Sequence, residues 1–349
     1  MSLVIDETHL GRRASGMERV TQALFSKDAL APLAVTAERC GLGKLGVAFK
    51  QTFTLPAKAA CRRRSVWVFP GFPPCPAFGL LRERTVLYVH DVFLITRRQD
   101  LNFAGRYWLA PNFRMSLRRL KYFMANSMTT ANALGHYVGE GARIVVYRPA
   151  PENVFWLRPS VDGRTTSRPE RLIVGAIGTV EPRKNFPAAA RICDHLAAVT
   201  GGPVELHIIG RRGWGDDYDR LSARPNVTLH GFQPDGEARR IIETFDLLLC
   251  TSRDEGLCLP LLEAQFGGLQ VIAPDQPVFR EVLGRSGIFI DPQDAEMSAE
   301  AIAASIADSD WRPRAAIAAA GNLDRWSRIA AADRAEAIAF LSGLVEEHC

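Results

Sequence analysis

Residues 245–268 read FDLLLCTSRDEGLCLPLLEAQFGG and constrain the fold more than any other stretch. Leu247 to Cys250 is a short, wholly apolar run, as expected of a strand covered on both faces of a parallel sheet. Ser252 to Gly256 is polar and turn-prone, and Pro260 fits the first turn of a helix, where a missing N–H costs nothing. Glu255 then sits in the loop above the strand end, and Glu263 in the opening turns of the helix. The backbone between Gly256 and Leu261, including Leu257, Cys258 and Leu259, would surround an anion beside that helix N-terminus. Two carboxylates flanking an anion cradle suit a ligand that is part polyol and part phosphate, as a nucleotide sugar is. A glutamate in the first turns of a helix also simply favours the helix dipole, so spacing alone leaves both readings open.

Glu255 and Glu263, with seven residues between them in SRDEGLCLPLLEA, resemble the E-x7-E signature of the GT4 family of retaining glycosyltransferases. The resemblance covers most of 171–292 and extends more weakly into the first half. It implies the α/β GT-B fold: two Rossmann-like parallel-sheet domains facing a deep cleft, with a C-terminal helix crossing back to the N-terminal domain. It also implies that Glu255 holds the donor sugar and Glu263 the nucleotide ribose. The family usually has Phe-Gly where this chain has Leu257-Cys258, and a larger side chain at Cys258 would narrow the sugar pocket.

A chain of 349 residues is about twice the usual domain length, so two cores are expected. The polar, proline-flanked stretch 159–170 reads as the linker. It gives an acceptor-binding domain at 1–165, a donor-binding domain at 166–325 and a returning helix at 326–349. Seven scattered cysteines without a C-x-x-C pair fit neither a disulfide framework nor a zinc site, which points to a reduced, cytoplasmic setting. The N-terminus reaches Asp6 and Glu7 too soon for a signal peptide, and no apolar run approaches the roughly 18 residues needed to span a bilayer. Residues 1–165 carry 24 Lys/Arg against 11 Asp/Glu, and the remainder 19 against 27. A basic half joined to an acidic half suggests one domain facing an anionic partner.

In the first half, Leu3 to Ile5 reads as a strand, and Gly11 and Gly16 bracket a polar loop before a helix beginning near Met17. Glycines there let backbone approach a ligand, and the loop resembles the N-terminal glycine loop of the family. Val66 to Phe69 and Thr85 to Val89 read as buried strands. CRRRS and FPGFPPCP read as surface loops. The second strand ends in His90-Asp91, and ligands of open α/β sheets bind beyond the carboxyl ends of strands. YVHDVFLITRR resembles the His-Asp stretch of mannosyltransferase-like members, which implies that His90 completes the sugar pocket and Asp91 orients it. From Arg106 to Met124, aromatic and aliphatic residues recur at helical spacing between arginines, with Pro111 at a helix start. Such a helix either packs its apolar face inward or lies on an anionic membrane. Strands at Met124–Ser127 and Ile144–Tyr147 and a helix at Thr129–Val138 complete this half.

In the second half, strand 171–178 (RLIVGAIG) leads into TVEPRKN and a helix from Phe186. Arg183 and Lys184 at a strand-to-helix turn form a phosphate clamp, Arg gripping two oxygens and Lys acting as a point charge. GTVEPRKN resembles the family's donor-diphosphate motif beginning at Gly178, but Thr179 stands where an arginine is common, and Arg183 is expected to substitute for it. Val204 to Gly210 is another strand. Asp217 and Asp219 spell D-x-D, the metal-diphosphate motif of the other glycosyltransferase fold, and are read here as first-turn acidic residues. Asn226–His230, a loop and helix through Phe245, a strand at Gln270–Ala273, a turn at PVFREVLG and the GIFIDP strand follow. Residues 293–349 read as helical, with Trp326-Ser327 preceding a last helix from Arg328 to Leu344.

The resemblance implies transfer of a hexose with retention and without a metal or other cofactor, fixed cations holding the leaving diphosphate. GDP-mannose is the first expected donor and a UDP-sugar the next. A saccharide or lipid-linked saccharide is the expected acceptor in cell-surface polysaccharide synthesis, with peripheral membrane contact through 106–124 and no nucleic acid. Alternatives are a nucleotide-sugar epimerase of the same fold and a non-catalytic nucleotide-sugar binder. An NAD enzyme is disfavoured because no G-x-G-x-x-G follows either opening strand.

Overall fold

Apolar runs alternating with amphipathic stretches fold here as two six-stranded sheets in which every pair is parallel. The structure, a computed structural model, describes residues 2–11, 16–41, 43–97, 99, 101, 103–159 and 171–348. The first sheet holds β1 (Ser2–Asp6), β2 (Val35–Glu38), β3 (Ser65–Phe69), β4 (Thr85–Val89), β5 (Tyr122–Ala125) and β6 (Arg143–Val146), in the order β2-β1-β3-β4-β5-β6. The second holds β7 (Leu172–Ile177), β8 (Val204–Ile209), β9 (Val227–Gly231), β10 (Leu247–Leu249), β11 (Gln270–Pro274) and β12 (Gly287–Ile290), in the order β12-β11-β10-β7-β8-β9. Helices α1 (Gly16–Phe25), α2 (Lys44–Phe49), α3 (Leu55–Cys61), α4 (Phe93–Thr96), α5 (Ala110–Arg119) and α6 (Met128–Gly135) accompany the first. The second carries α7 (Phe186–Thr200), α8 (Asp217–Ser222), α9 (Asp235–Ile242), α10 (Leu259–Gln265), α11 (Pro277–Leu283) and α12 (Ala295–Ser305). A final helix, α13, runs unbroken from Trp311 to Glu347.

The chain divides into two compact units, one of residues 1–150 with 329–349, the other of 151–328. The division falls earlier than a boundary at 165 because Phe155 and Leu157 are buried in the core of the second unit. Residues 160–170, read from the sequence as linker, lie outside the described residues.

The apolar run at β10 follows from its position. Successive strand residues face opposite sides of a sheet: Leu247 and Leu249 join α7 and α12 in one core, while Leu248 joins α9, α10 and α11 in the other. Neither side sees water, so no polar residue is tolerated there. In β7, Gly175 has no side chain because a Cβ would stand 1.9 Å from the Phe245 ring.

Several expectations need correction. The helix read over 106–124 ends at Arg119; Leu120 is extended and β5 begins at Tyr122, two residues ahead of the expected strand at Met124. Pro111 lies in the first turn of α5, as read, but α5 continues from a π turn, Gly105–Leu109, the wider turn accommodating a residue that cannot donate an N–H. The same arrangement, π turn Lys50–Thr54 followed by Pro56, sits between α2 and α3, a helical region that the sequence reading left unassigned along with β2. The FPGFPPCP loop is only partly on the surface, since Phe69 and Cys75 are buried beside Phe78. PVFREVLG forms helix α11 rather than a turn, and Trp326-Ser327 lies within α13. In the first unit the end of α13 is held by Phe340 against Tyr122 and by a 2.6 Å ion pair of Asp333 with Arg148. Among the described residues no helix is long and apolar enough to cross a membrane.

Candidate functional site

In the second sheet the strand order reverses between β7 and β10, and in open α/β sheets the crevice at such a reversal is where ligands bind. The two loops at that point are GTVEPRKN and SRDEGLC. They bring Arg183, Lys184 and Glu255 together. Lys184 Nζ donates to Glu255 Oε1 at 2.6 Å, and Arg183 Nη1 lies 2.7 Å from Glu255 Oε2. Arg183 also donates to Glu181 Oε1, at 2.8 Å from Nη2 and 3.1 Å from Nε, and to the Asp254 carbonyl at 2.9 Å. The loops are tied by backbone as well. The Arg253 N–H donates to the Arg183 carbonyl at 2.8 Å, and Thr251 Oγ1 lies 3.1 and 3.0 Å from the carbonyls of Lys184 and Asn185. Asn185 adopts the left-handed conformation, φ +53°, which turns the chain into α7.

These three side chains are largely withdrawn from water, and their charges survive by pairing. Burial alone would raise the Glu255 pKa, but Lys184 and Arg183 more than offset it and hold the carboxylate below its ordinary range. Burial would also discharge Lys184, yet Glu255 outweighs it and keeps the ammonium protonated above its usual pKa. Glu181, which the sequence reading overlooked, is buried beside Arg183, and burial pushes its pKa up despite that partner.

The floor of the crevice depends on close backbone approach. A Cβ on Gly210 would stand 1.8 Å from the Gly178 carbonyl oxygen, and one on Gly178, whose φ is +148°, would stand 3.0 Å from Lys184 Cε. Gly256 and Leu257 are buried, Leu259 opens α10, and Glu263 is buried one turn into that helix. Cys258, just ahead of α10, takes φ +68° and is buried, while the buried Cys250 thiol donates to Ser252 Oγ at 3.5 Å. Asp217 and Asp219 occupy the first turn of α8, where Asp219 pairs with Arg212 at 2.6 Å. Among the described residues no group of three or more His, Cys, Asp or Glu side chains is arranged to hold a metal ion.

The remaining site residues read from the sequence belong to the first unit. His90 follows β4, and its Nε2 donates to the Pro70 carbonyl at 2.7 Å. Burial lowers its pKa to about 4, so the ring is neutral with its proton on Nε2. Asp91 accepts the Phe93 N–H at 2.9 Å at the start of α4, and the His90 ring meets Tyr88 edge-on at 5.0 Å. Gly16 opens α1 with unobstructed space around it, and positions 12–15 of the glycine loop lie outside the described residues. At the reversal of this sheet, between β1 and β3, His9 lies on Gly71, where a Cβ would come within 2.4 Å of the ring, and Phe72 meets His9 edge-on at 5.9 Å. His9 also bonds Thr21 at 2.9 Å. His9, Gly71 and Phe72 were not singled out in the sequence, because residues over 60 positions apart meet only once the strands pair.

Residues 171–308 match the family described as "Glycosyl transferases group 1". The second unit of this chain is therefore a group 1 glycosyltransferase domain. Among curated proteins, O-antigen chain mannosyltransferase B of Escherichia coli is 30% identical over 141 residues, which are 39% of this chain and 37% of that protein. The serotype-specific mannosyltransferase WbdA of Escherichia coli is 33% identical over 112 residues, which are 30% of this chain and 14% of that one. The matched stretches span well under half of these relatives' length. Solved structures align over nearly the whole chain. WaaG, a glycosyltransferase involved in lipopolysaccharide biosynthesis, superposes with a TM-score of 0.68 at 14% identity, over 98% of this chain and all of that one. Sucrose-phosphate synthase from Thermosynechococcus elongatus gives 0.69 at 17% identity, over 99% and 98%. Anabaena HepE in complex with UDP and glucose gives 0.68 at 17% identity, over 98% and 100%. The fold is GT-B.

Proposed function

We propose that the protein is a retaining, metal-independent hexosyltransferase of polysaccharide synthesis, moving a hexose from a sugar nucleotide to a hydroxyl of a glycan or lipid-linked saccharide. The observation that carries this reading is the Lys184–Glu255–Arg183 cluster at the strand reversal of a group 1 domain. Two permanently charged cations there suit a departing diphosphate, whose growing negative charge they would neutralise without reorganisation. In the structure both are engaged by Glu255. An arriving diphosphate would draw them off, and the freed carboxylate oxygens would accept hydrogen bonds from hydroxyls of the donor sugar. Binding would thus exchange one set of charge-assisted hydrogen bonds for another, rather than create buried charge. Glu263, on α10, would hold the ribose, and the loop with Phe232, against which Arg211 stacks at 4.6 Å, would face the base.

The neutral His90 ring has its Nε2 committed to Pro70, which leaves Nδ1 to accept a hydrogen bond from a sugar hydroxyl. Retention would follow if the leaving phosphate takes the acceptor proton on the face it vacates. Mannose from GDP-mannose is the first donor to test, because the Escherichia coli relatives are mannosyltransferases; a UDP-sugar is the second, because HepE was crystallised with UDP and glucose. The setting would be the cytoplasmic face of the membrane that holds a lipid-linked acceptor.

Thermal unfolding measured against a panel of nucleotide sugars tests the donor. The matching donor should raise the midpoint in proportion to its affinity and concentration. No shift with any GDP- or UDP-sugar would remove the donor site from the second unit. Incubation with donor alone separates transfer from epimerisation: an epimerised product formed without acceptor would establish the epimerase reading instead.

A further inference from the structure

The Arg183 guanidinium is shared between two carboxylates. Nε and Nη2 both donate to Glu181 Oε1, at 3.1 and 2.8 Å, and form one edge of the fork. Nη1 faces the other loop, donating to the Asp254 carbonyl at 2.9 Å and lying 2.7 Å from Glu255 Oε2. The Glu181 and Glu255 side chains are only 8% and 9% exposed. For Glu181 the cover is the loop after β8. There the Gly213 N–H donates to the Val180 carbonyl at 3.0 Å, and a Cβ on Gly213 would stand 3.2 Å from Glu181 Cβ. The cations of that loop are engaged by other groups, Arg211 over the Phe232 ring and Arg212 on Asp219. Arg253, beside Asp254 in the second loop, reaches Asn185 Oδ1 at 3.5 Å. Arg183 is therefore the cation that Glu181 meets directly, with Lys184 and Glu255 the next charges in reach.

Two cations and two carboxylates balance in this cluster. The proposed exchange of partners strands no ion, yet it changes the sum of charges. A doubly negative diphosphate joins a balanced group that is largely withdrawn from water, where unmet charge is costly. The excess is smallest when one carboxylate becomes neutral. Glu255 is poorly suited to that change. Lys184 and Arg183 hold it below its ordinary range, and sugar hydroxyls donating to it would favour the charged form again. Glu181 is well suited. Burial pushes its pKa up even with Arg183 beside it, and a neighbouring anion would push it further. Once protonated, it still offers an oxygen to the Nε edge, so Arg183 keeps its aim.

We infer that Glu181 takes up a proton from solvent as the donor diphosphate enters, yielding the charge of Arg183 to the phosphates while still holding its guanidinium in place. Glu181 is a positioning residue that acts through Arg183. The inference rests on the diphosphate reading of the cluster and adds a proton to it. Its sign is fixed by linkage. The complex binds more protons than the free protein, so donor affinity is highest at low pH and falls as pH rises through the range in which Glu181 ionises.

Calorimetric titration of the full chain with GDP-mannose and with UDP-glucose tests this, because the diphosphate of a sugar nucleotide is a diester that does not itself titrate near neutral pH. Heats measured in PIPES and in Tris should differ in the direction of proton uptake, by no more than one proton per donor bound. Affinity should fall with rising pH by up to about tenfold per pH unit. Glu181→Gln is neutral at every pH and still an acceptor for Arg183. It should bind up to about tenfold more tightly than the parent at high pH, and lose both the slope and the proton. Glu181→Ala should lose them too, but without an oxygen to aim Arg183 its transfer rate should fall by up to about a hundredfold. Equal transfer by the two variants would overturn the positioning role. Donor binding without proton uptake would overturn the inference and leave the donor site standing. So would a slope that persists in Glu181→Gln, since the proton would then belong to Glu255 or another group. Failure of both sugar nucleotides to bind would overturn it together with the diphosphate reading.

Discussion

Two strand reversals, one in each sheet, occupy equivalent places in similar folds and are charged in opposite ways. Beside the first of them burial drives two titratable groups towards neutrality. Asp6, at the end of β1, is pushed up to about 6, and His90, beyond β4, is lowered to about 4, with desolvation the largest cause in both. Beside the second, Lys184 and Glu255, buried about as deeply, stay charged because they and Arg183 compensate one another, and Glu181 alone is pushed towards neutrality. A Rossmann-like frame supplies the crevice, and the loop sequence decides whether it greets a ligand with fixed charge or with neutral donors and acceptors. The fixed charge of the second unit is the feature on which the proposed diphosphate binding rests.

The largest effect that would break this comparison is at Lys184. Lys184→Met should cut transfer by at least about a hundredfold, as loss of one electrostatic stabiliser typically does. Arg183 still holds Oε2 of Glu255, so the protein should remain folded, losing no more than about 3 kcal/mol. Activity within a few-fold of the parent would show that the cluster is structural. Next come the glycines at each reversal. Gly210→Ala, facing a backbone carbonyl at 1.8 Å, should cost about 3 kcal/mol in denaturant unfolding, whereas Gly71→Ala, facing the His9 side chain rather than backbone at 2.4 Å, should cost about 2 kcal/mol. Equal losses would mean that the two crevices are equally rigid.

The pH dependence sharpens the contrast. As pH falls from 6.5 towards 4, an unfolded chain protonates His90 while the folded one does not, so stability drops by at most about 1.4 kcal/mol per pH unit. Asp6 has the opposite sign: folded protein takes its proton near pH 6 and unfolded chain near 3.8, so its contribution rises on acidification. His90→Gln should therefore flatten acid sensitivity, and Asp6→Asn should stabilise the protein at pH 8 by up to about 3 kcal/mol. Unfolding curves that do not move in these directions would show that burial does not set these two groups. The smallest effect is expected at α8, where Asp217→Ala, Asp219→Ala and added EDTA should each leave transfer within about twofold, surface ion pairs contributing little. Strict dependence on Mn²⁺ would restore the D-x-D reading.

Much of the second unit was legible because its signals are local. The apolar β10, the Pro260 helix start and the charged residues of GTVEPRKN and SRDEGLC all lie within a few residues of the backbone features that aim them. Glu181 was overlooked because it reads as one more surface acid until Arg183 folds back on it. In the first unit the missing pieces are those that local pattern cannot carry. VTAE at β2 has too few apolar residues to announce a strand, and its last residue, Glu38, is satisfied by Lys58 of α3 at 2.8 Å. Two π turns broke the 3.6-residue period on which helix recognition depends, and the proline in each run reads as a boundary.

The clearance between Gly210 and the Gly178 carbonyl has a practical consequence for anyone wishing to change donor preference. Those two positions are closed to diversification, since any side chain at either wedges the strand tips apart or pushes on Lys184. A library that varies these two loops therefore has to hold both glycines fixed.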